Sequence, residues 1–266
     1  MRRLALAGAI LASLALAAPV LAITNGEPDA GRHPYVGLAV FDVDGSPSHR
    51  CSASLLSPTV VLTAAHCTVG TSAARVWFDE VVEGNPEYPF SGATSYDGTT
   101  YTHPLYCSPC KNGLPGFAKW DVGIIVLSEP VPTSVVDEYA DLPDVGLVNT
   151  LADKDRIDYV GYGVNTRFVG GGPPVMGGPR VRLFAQGELV APNKYNHAAW
   201  TIKYSLNASQ GKGGTCFGDS GGPDLLAGTD TILAVNSYVT NTNCSGVGYS
   251  SRIDRADTLE WIESFL

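Results

Sequence analysis

Apolar and polar positions alternate in short runs along most of the chain. Tyr35 to Val43 reads as a strand with mixed burial. Cys51 to Leu56 alternates, Ser57-Pro58 turns, and Thr59 to Thr63 is β-branched, which is a hairpin pattern. Arg75 to Val82, Val122 to Leu127, Ile157 to Val160, Val181 to Val190, Thr201 to Tyr204 and Thr231 to Val239 are further strand candidates. Frequent Gly, Pro, Asn and Asp separate them, so the pattern predicts an all-β barrel or sandwich. The tail differs. Leu259, Ile262 and Leu266 recur at helical spacing, with Trp261 and Phe265 adjoining. Asp257 stands three residues before Glu260, a start like a capping box, and a short C-terminal helix is expected. Gly170 to Gly178 is expected to be a surface loop, and no internal repeat is present.

The other long apolar run lies at the start. Arg2 and Arg3 precede Leu4 to Leu16, and Val20-Leu21-Ala22 offers a small residue for cleavage. Residues 1–22 therefore read as a secretory signal peptide. The run is short for a membrane span and no second run of spanning length follows, so no membrane association is expected after its removal. Removal takes two arginines and no acid, leaving 15 basic against 26 acidic residues, a net charge of −11. Such a chain has no general attraction for phosphate backbones, which argues against nucleic acid as a partner. Export also makes the six cysteines candidates for disulfides. Six allow fifteen connectivities, and proximity along the chain suggests Cys51–Cys67, Cys107–Cys110 and Cys216–Cys244.

The stretch with the most chemistry is Gly218-Asp219-Ser220-Gly221-Gly222-Pro223. Glycines permit backbone angles and close approaches that a Cβ would block. A serine held among them can present its hydroxyl while backbone N–H groups converge nearby, as acyl transfer requires. The stretch also fits the Gly-x-Ser-x-Gly elbow, which needs its histidine after the serine. All five histidines, His33, His49, His66, His103 and His197, precede Ser220, so the elbow lacks a base. The order His, Asp, Ser remains open. His66 lies in Thr63-Ala64-Ala65-His66-Cys67, beside a disulfide candidate and at the end of a strand candidate. Asp121 enters the apolar run Val122 to Leu127, where a carboxylate is costly to bury unless a donor such as an imidazole N–H meets it.

These three motifs, in this order, resemble the chymotrypsin-like serine proteases. The Ile23 opening is similar to the mature start of that family, Gly161-Tyr162-Gly163 to its Gly-Trp-Gly turn, and Asn236-Ser237-Tyr238 to its Ser-Trp strand. The resemblance runs over most of residues 23–266. It implies a secreted serine endopeptidase of two six-stranded antiparallel β-barrels, spanning about 35–130 and about 145–252, with a helix over about 256–266 and the site between the barrels. It makes His66 the general base, Asp121 its orienter and Ser220 the nucleophile. The N–H groups of Gly218 and Ser220 would form the oxyanion hole, and Ser237 would line the cleft near Asp121. The α-amino group of Ile23 would pair with Asp219 once freed. Cleavage after Ala22 would create it directly, unless a very short pro-segment intervenes. Gly214 maps to the floor of the primary pocket, and Val239 and Val247, the latter within a slip of one or two residues, map to its walls. Without a carboxylate at Gly214 and with valines on the walls, small or medium aliphatic residues are expected before the cut bond.

The resemblance implies polypeptide substrates, protein inhibitors as further partners, a monomer, and no cofactor or metal. Cys107-Ser-Pro-Cys110 reads as a loop disulfide; a zinc site with His103 would want a fourth ligand that is not evident. Asp79, Glu80 and Glu83 read as a solvated acidic loop, and Asn207-Ala-Ser209 fits a glycosylation acceptor. A binding protein of the same fold without catalysis is the rival; such proteins usually lack a member of the triad, and all three are present.

Overall fold

The computed structural model describes residues 23, 26–110, 117–163, 179–195, 197–207, 212–240 and 244–266. The signal segment 1–22, the loop 170–178 and residues 208–209 of the acceptor triplet lie outside them.

The first half is a closed barrel of six antiparallel strands in the order β2-β3-β4-β7-β6-β5. These are β2 (Val36–Val43), β3 (Ser46–Ser57), β4 (Val60–Thr63), β5 (Ala73–Trp77), β6 (Ser95–Thr102) and β7 (Gly123–Leu127). Asp44 and Gly45 join β2 to β3 with φ of 53° and 74°. Both central residues are left-handed, as a tight hairpin turn matching the strand twist requires. A one-turn helix α1 (Ala65–Thr68) follows β4. β6 is mostly polar, with the sequence SYDGTTYT, and gave no apolar pattern. Its Gly98 lies against Ile125 so closely that a Cβ there would stand 2.7 Å from the isoleucine side chain.

The second half comprises β1 (Glu27–Pro28), β8 (Arg156–Gly161), β9 (Leu183–Glu188), β10 (Thr201–Ser205), β11 (Pro223–Leu226), β12 (Ile232–Val239) and β13 (Val247–Arg252). They form one seven-stranded antiparallel sheet in the order β1-β9-β8-β11-β12-β13-β10. The sheet curls on itself but is not a closed six-stranded barrel. Among the described residues the one bridge between these ends is Leu189↔Tyr204, with Leu189 just past β9, and the two-residue β1 adds outside β9. The C-terminal helix α2 spans Ala256–Glu263 and buries Thr258, Leu259 and Ile262. Its N-cap is Arg255 and has no side-chain cap bond. Asp257 is therefore not the cap. Its carboxylate accepts Trp120 Nε1–H at 2.9 Å and Arg255 Nη2–H at 3.0 Å. Leu266 lies past the helix end and is exposed.

The buried side chains form two clusters, one filling the first barrel and reaching Val160, Tyr162 and Val235, the other filling the curled sheet around Ile23, Ile157 and Tyr204. One buried cation ties them. Arg182 donates through Nε to Asp29 at 3.0 Å, and through Nη1 to the carbonyls of Val36 at 3.0 Å and Phe78 at 3.1 Å. Asp29 also accepts the backbone N–H and the ring Nδ1 of His33. Removing one partner of such a group leaves a charge without compensation. Arg182→Leu is expected to cost about 3–5 kcal/mol in urea unfolding; a loss within experimental error would show the network to be dispensable.

Candidate active site

Cys51 on β3 is bonded to Cys67 on α1. That bond and the His49 Nε2 contact to the Cys67 carbonyl, 2.8 Å, hold α1 against the barrel. The helix carries His66, whose side chain is 31% exposed and reaches a cleft. The backbone N–H of His66 donates to Asp121 Oδ1 at 2.7 Å, and its Nδ1 bonds Asp121 Oδ2 at 2.8 Å. Ser237 on β12 donates its hydroxyl to the same Oδ2 at 2.5 Å. Asp121 is the centre of a tight turn in which Val122 N–H bonds the Trp120 carbonyl at 2.8 Å. Trp120 sits at φ 48°, a sparsely populated region for a bulky residue. It is held by Asp257 and by an edge-on contact with Trp200 at 4.2 Å between ring centroids.

Burial opposes the charge on each partner, and the pair overcomes it. Desolvation pulls the His66 pKa down, but the Asp121 charge and hydrogen bond raise it above the ordinary imidazole value. Desolvation pushes Asp121 up, but the His66 interactions and the Ser237 hydroxyl hold it below the ordinary carboxylate value. Nδ1–H is thus fixed on Asp121, and Nε2 is left as the basic nitrogen on the cleft side.

Ser220 stands opposite. The loop around it needs its glycines: Gly218 has φ 94° and Gly221 φ 78°. A Cβ on Gly221 would lie 2.1 Å from Thr63 Oγ1. Around this loop the N–H groups of Asp219, Gly221 and Gly222 bond the carbonyls of Cys216, Asn236 and Asp219. Those of Gly218 and Ser220 have no acceptor among the described residues. His66 and Ser220 line one pocket of about 230 Å³ with Thr215, Cys216, Phe217, Asn236, Ser237, Tyr238 and Val239. No hydrogen bond joins His66 Nε2 to Ser220 Oγ; such bonds are often long in unliganded sites and tighten with substrate.

The pocket differs in detail from its expected lining. Val239 and the Cys216–Cys244 disulfide border it. Gly214 does not; its α-carbon packs on Leu206, and a Cβ there would lie 2.6 Å from that side chain. Val247 does not either, because it pairs with Ser205 on the β10 side. Gly248 is the residue opposite Val239. Across Gly248 lies the ring of Tyr204, where a Cβ would come within 2.5 Å. The Tyr204 hydroxyl bonds Thr215 Oγ1 at 2.8 Å and donates to Asn236 Oδ1 at 2.9 Å. Tyr204 thus braces two residues of the pocket lining, Thr215 and Asn236, from behind, a role that no local sequence signal announced. Behind it Asp224 is fully buried, and neither carboxyl oxygen closes a hydrogen bond. Burial pushes its pKa well above the ordinary carboxylate range.

The remaining candidates have other occupations. Cys107 is bonded to Cys110, while the His103 ring packs on Trp261 at 4.8 Å. Glu80 accepts the Ala30 N–H, and Glu83 pairs with Arg180 at 2.9 Å. The one cluster of potential metal ligands among the described residues is Cys51, His66 and Cys67, and both its sulfurs are in the disulfide. No helix among the described residues is long and apolar enough to cross a membrane.

The family model described as Trypsin matches residues 23–262. A trypsin of Simulium vittatum is 28% identical, covering 92% of each chain. Chymotrypsin-like elastase family member 3B of Macaca mulatta is 27% identical over 92% of this chain and 93% of its own. The solved structure of HL collagenase superposes with a TM-score of 0.69 at 19% identity, over 91% of this chain and 97% of that one, and so shares the fold.

Asp219, beside the serine, is 1% exposed. It accepts the N–H groups of Gly163 at 2.8 Å and Cys216 at 2.9 Å. Burial nevertheless pushes its pKa up to about 7, against the pull of those bonds. Ile23 is buried in the second core, and in the uncut chain its nitrogen is an uncharged amide. Between its unfolded pKa near 3.8 and about 7, the folded uncut chain binds the extra proton, so this group's share of stability is lost as pH rises through that window. In a Ser220→Ala background, urea unfolding of the uncut chain relative to its Asp219→Asn variant is expected to weaken between pH 4 and 7 by on the order of 4 kcal/mol and then level off. A difference independent of pH would show that Asp219 is ionised throughout.

Proposed function

The chain belongs to the trypsin family of serine proteases, and on that premise we propose that it is an exported endopeptidase working through Ser220, His66 and Asp121. Members of the family are serine endopeptidases acting on polypeptides, so the class of reaction is given. The observation that carries the assignment of residues is the buried Asp121 clamping Nδ1–H of His66 beside a pocket that Ser220 shares.

In this reading Ser220 Oγ attacks the scissile carbonyl carbon while His66 Nε2 takes its proton. Asp121 keeps the imidazole in the right tautomer and stabilises the cation that forms. The carbonyl oxygen becomes an oxyanion and is met by the N–H groups of Gly218 and Ser220, a contribution on the order of 10²–10³ in turnover per donor. Collapse breaks the C–N bond, and the leaving amine takes the proton from His66. Water then attacks the acyl-enzyme with His66 again as base, releasing the acid and restoring Ser220.

Residues 1–22 direct export, and their removal frees the Ile23 amine to enter the site of Asp219. A cation there would meet a carboxyl that burial now holds near neutral. The exported chain acts alone, open to protein inhibitors that occupy the cleft as a substrate does. Small or medium aliphatic side chains fit the primary pocket: Val239 narrows it, and Tyr204 braces Thr215 and Asn236 of its lining.

Protein collected from an exporting host is expected to begin at Ile23 and to take a fluorophosphonate label on Ser220 that His66→Ala abolishes. A different first residue would refute direct activation, and an unlabelled wild type would sink the enzyme reading. In a peptide library, Ala, Val and Leu before the cut bond should be favoured over Lys, Arg and aromatic residues by at least about 10-fold; strong selection for Lys or Arg would overturn the pocket assignment.

A further inference from the structure

From the bonds it makes around the glycine loop, we infer that Ser52 is a positioning residue for the oxyanion-binding loop. The inference rests on the endopeptidase reading above. Ser52 lies on β3, directly after the disulfide-bonded Cys51, and is fully buried. Its hydroxyl donates to the Gly218 carbonyl at 3.0 Å and accepts the Tyr162 N–H at 2.9 Å. Its backbone N–H donates to the Ser220 carbonyl at 2.9 Å. Its own carbonyl accepts the Thr63 hydroxyl at 3.0 Å.

The two carbonyls that Ser52 holds belong to Gly218 and Ser220, the residues whose N–H groups have no acceptor among the described residues. Gly218, at φ 94°, has no Cβ to restrict its rotation, so its own sterics do not fix the direction of its N–H. The hydroxyl of Ser52 supplies that restraint from outside, gripping the peptide between the two donors. An oxyanion hole gains its effect from donors already aimed before charge develops, so a loosened peptide loses turnover more than binding. The hydroxyl has one proton and spends it on Gly218, and it takes Tyr162 N–H in return. Two glycines make its room. A Cβ on Gly161 would stand 3.0 Å from Ser52 Oγ, and one on Gly222 would stand 3.0 Å from Ser52 Cβ. Through Cys51 the same strand also holds the helix of His66. Consecutive residues of β3 thus set the base and the donor loop in one register.

The test is Ser52→Ala in the active enzyme, with steady-state kinetics on a peptide amide and affinity for a peptide boronate that forms a tetrahedral adduct. A fall in kcat of about 10- to 100-fold is expected, a partial version of losing a donor. KM should stay within about threefold, boronate affinity should fall in parallel with kcat, and the pH midpoint of kcat/KM should not move, because the His66–Asp121 pair is untouched. Should Ser52→Ala fail to fold, Ser52→Gly removes the same hydroxyl and is read in the same way. A folded variant that loses stability but keeps kcat and boronate affinity would overturn the proposal, as would a rise in KM alone. A wild type whose Ser220 resists fluorophosphonate would instead overturn the endopeptidase reading beneath it.

Discussion

A carboxylate with 1% of its surface exposed needs every hydrogen bond it can collect, and Asp121 collects its bonds from both halves of the molecule. Two come from His66 on the first barrel and one from Ser237 on the second sheet. Removing any one donor would leave part of that buried charge unmet, which is more costly than a lost neutral contact. The requirement therefore fixes the orientation of the imidazole and the separation of β12 from α1 together.

Around this fixed point the backbone is held by external restraint rather than by its own preferences. Gly218 and Gly221 allow angles that other residues avoid, and the Cys51–Ser52 pair, Asn236 and Asp219 supply the bonds that choose among them. Flexible residues and rigid scaffolding are complementary here: close approach needs the absence of Cβ atoms, and definition needs neighbours that bond to the bare backbone. Asp219 bonds the loop at Gly163 and Cys216, and in the uncut chain burial leaves it near neutrality.

The family, the largely β architecture and the C-terminal helix were legible in the residues, because three short motifs and an alternating pattern encode them directly. The first barrel is closed as expected, whereas the second half is a seven-stranded curl. Its extra strand is only Glu27–Pro28, too short to leave a periodic trace. β6 escaped because its residues are polar and pack through a bare glycine, so nothing apolar marked it. The pocket was harder still. Spacing from Ser220 led to Gly214, yet the lining residues Thr215 and Asn236 are braced by Tyr204, which arrives from β10 through tertiary packing. One residue of register separates Val247 from Gly248, and that step turns a side chain to the other face of a strand. Asp257 looked like a cap, but Trp120 and Arg255 compete for its carboxylate from outside the helix.

Three of the four tryptophans gather at the seam between the halves. Trp120 from the first meets Trp200 from the second edge-on, the guanidinium of Arg255 lies 3.8 Å over Trp200, and His103 links Trp120 to Trp261. Two indoles 4.2 Å apart interact when they absorb light, and they do so only while the halves are docked. Near-ultraviolet circular dichroism thus carries an intrinsic optical marker of the assembled cleft, placed by the same residues that shape the turn of Asp121.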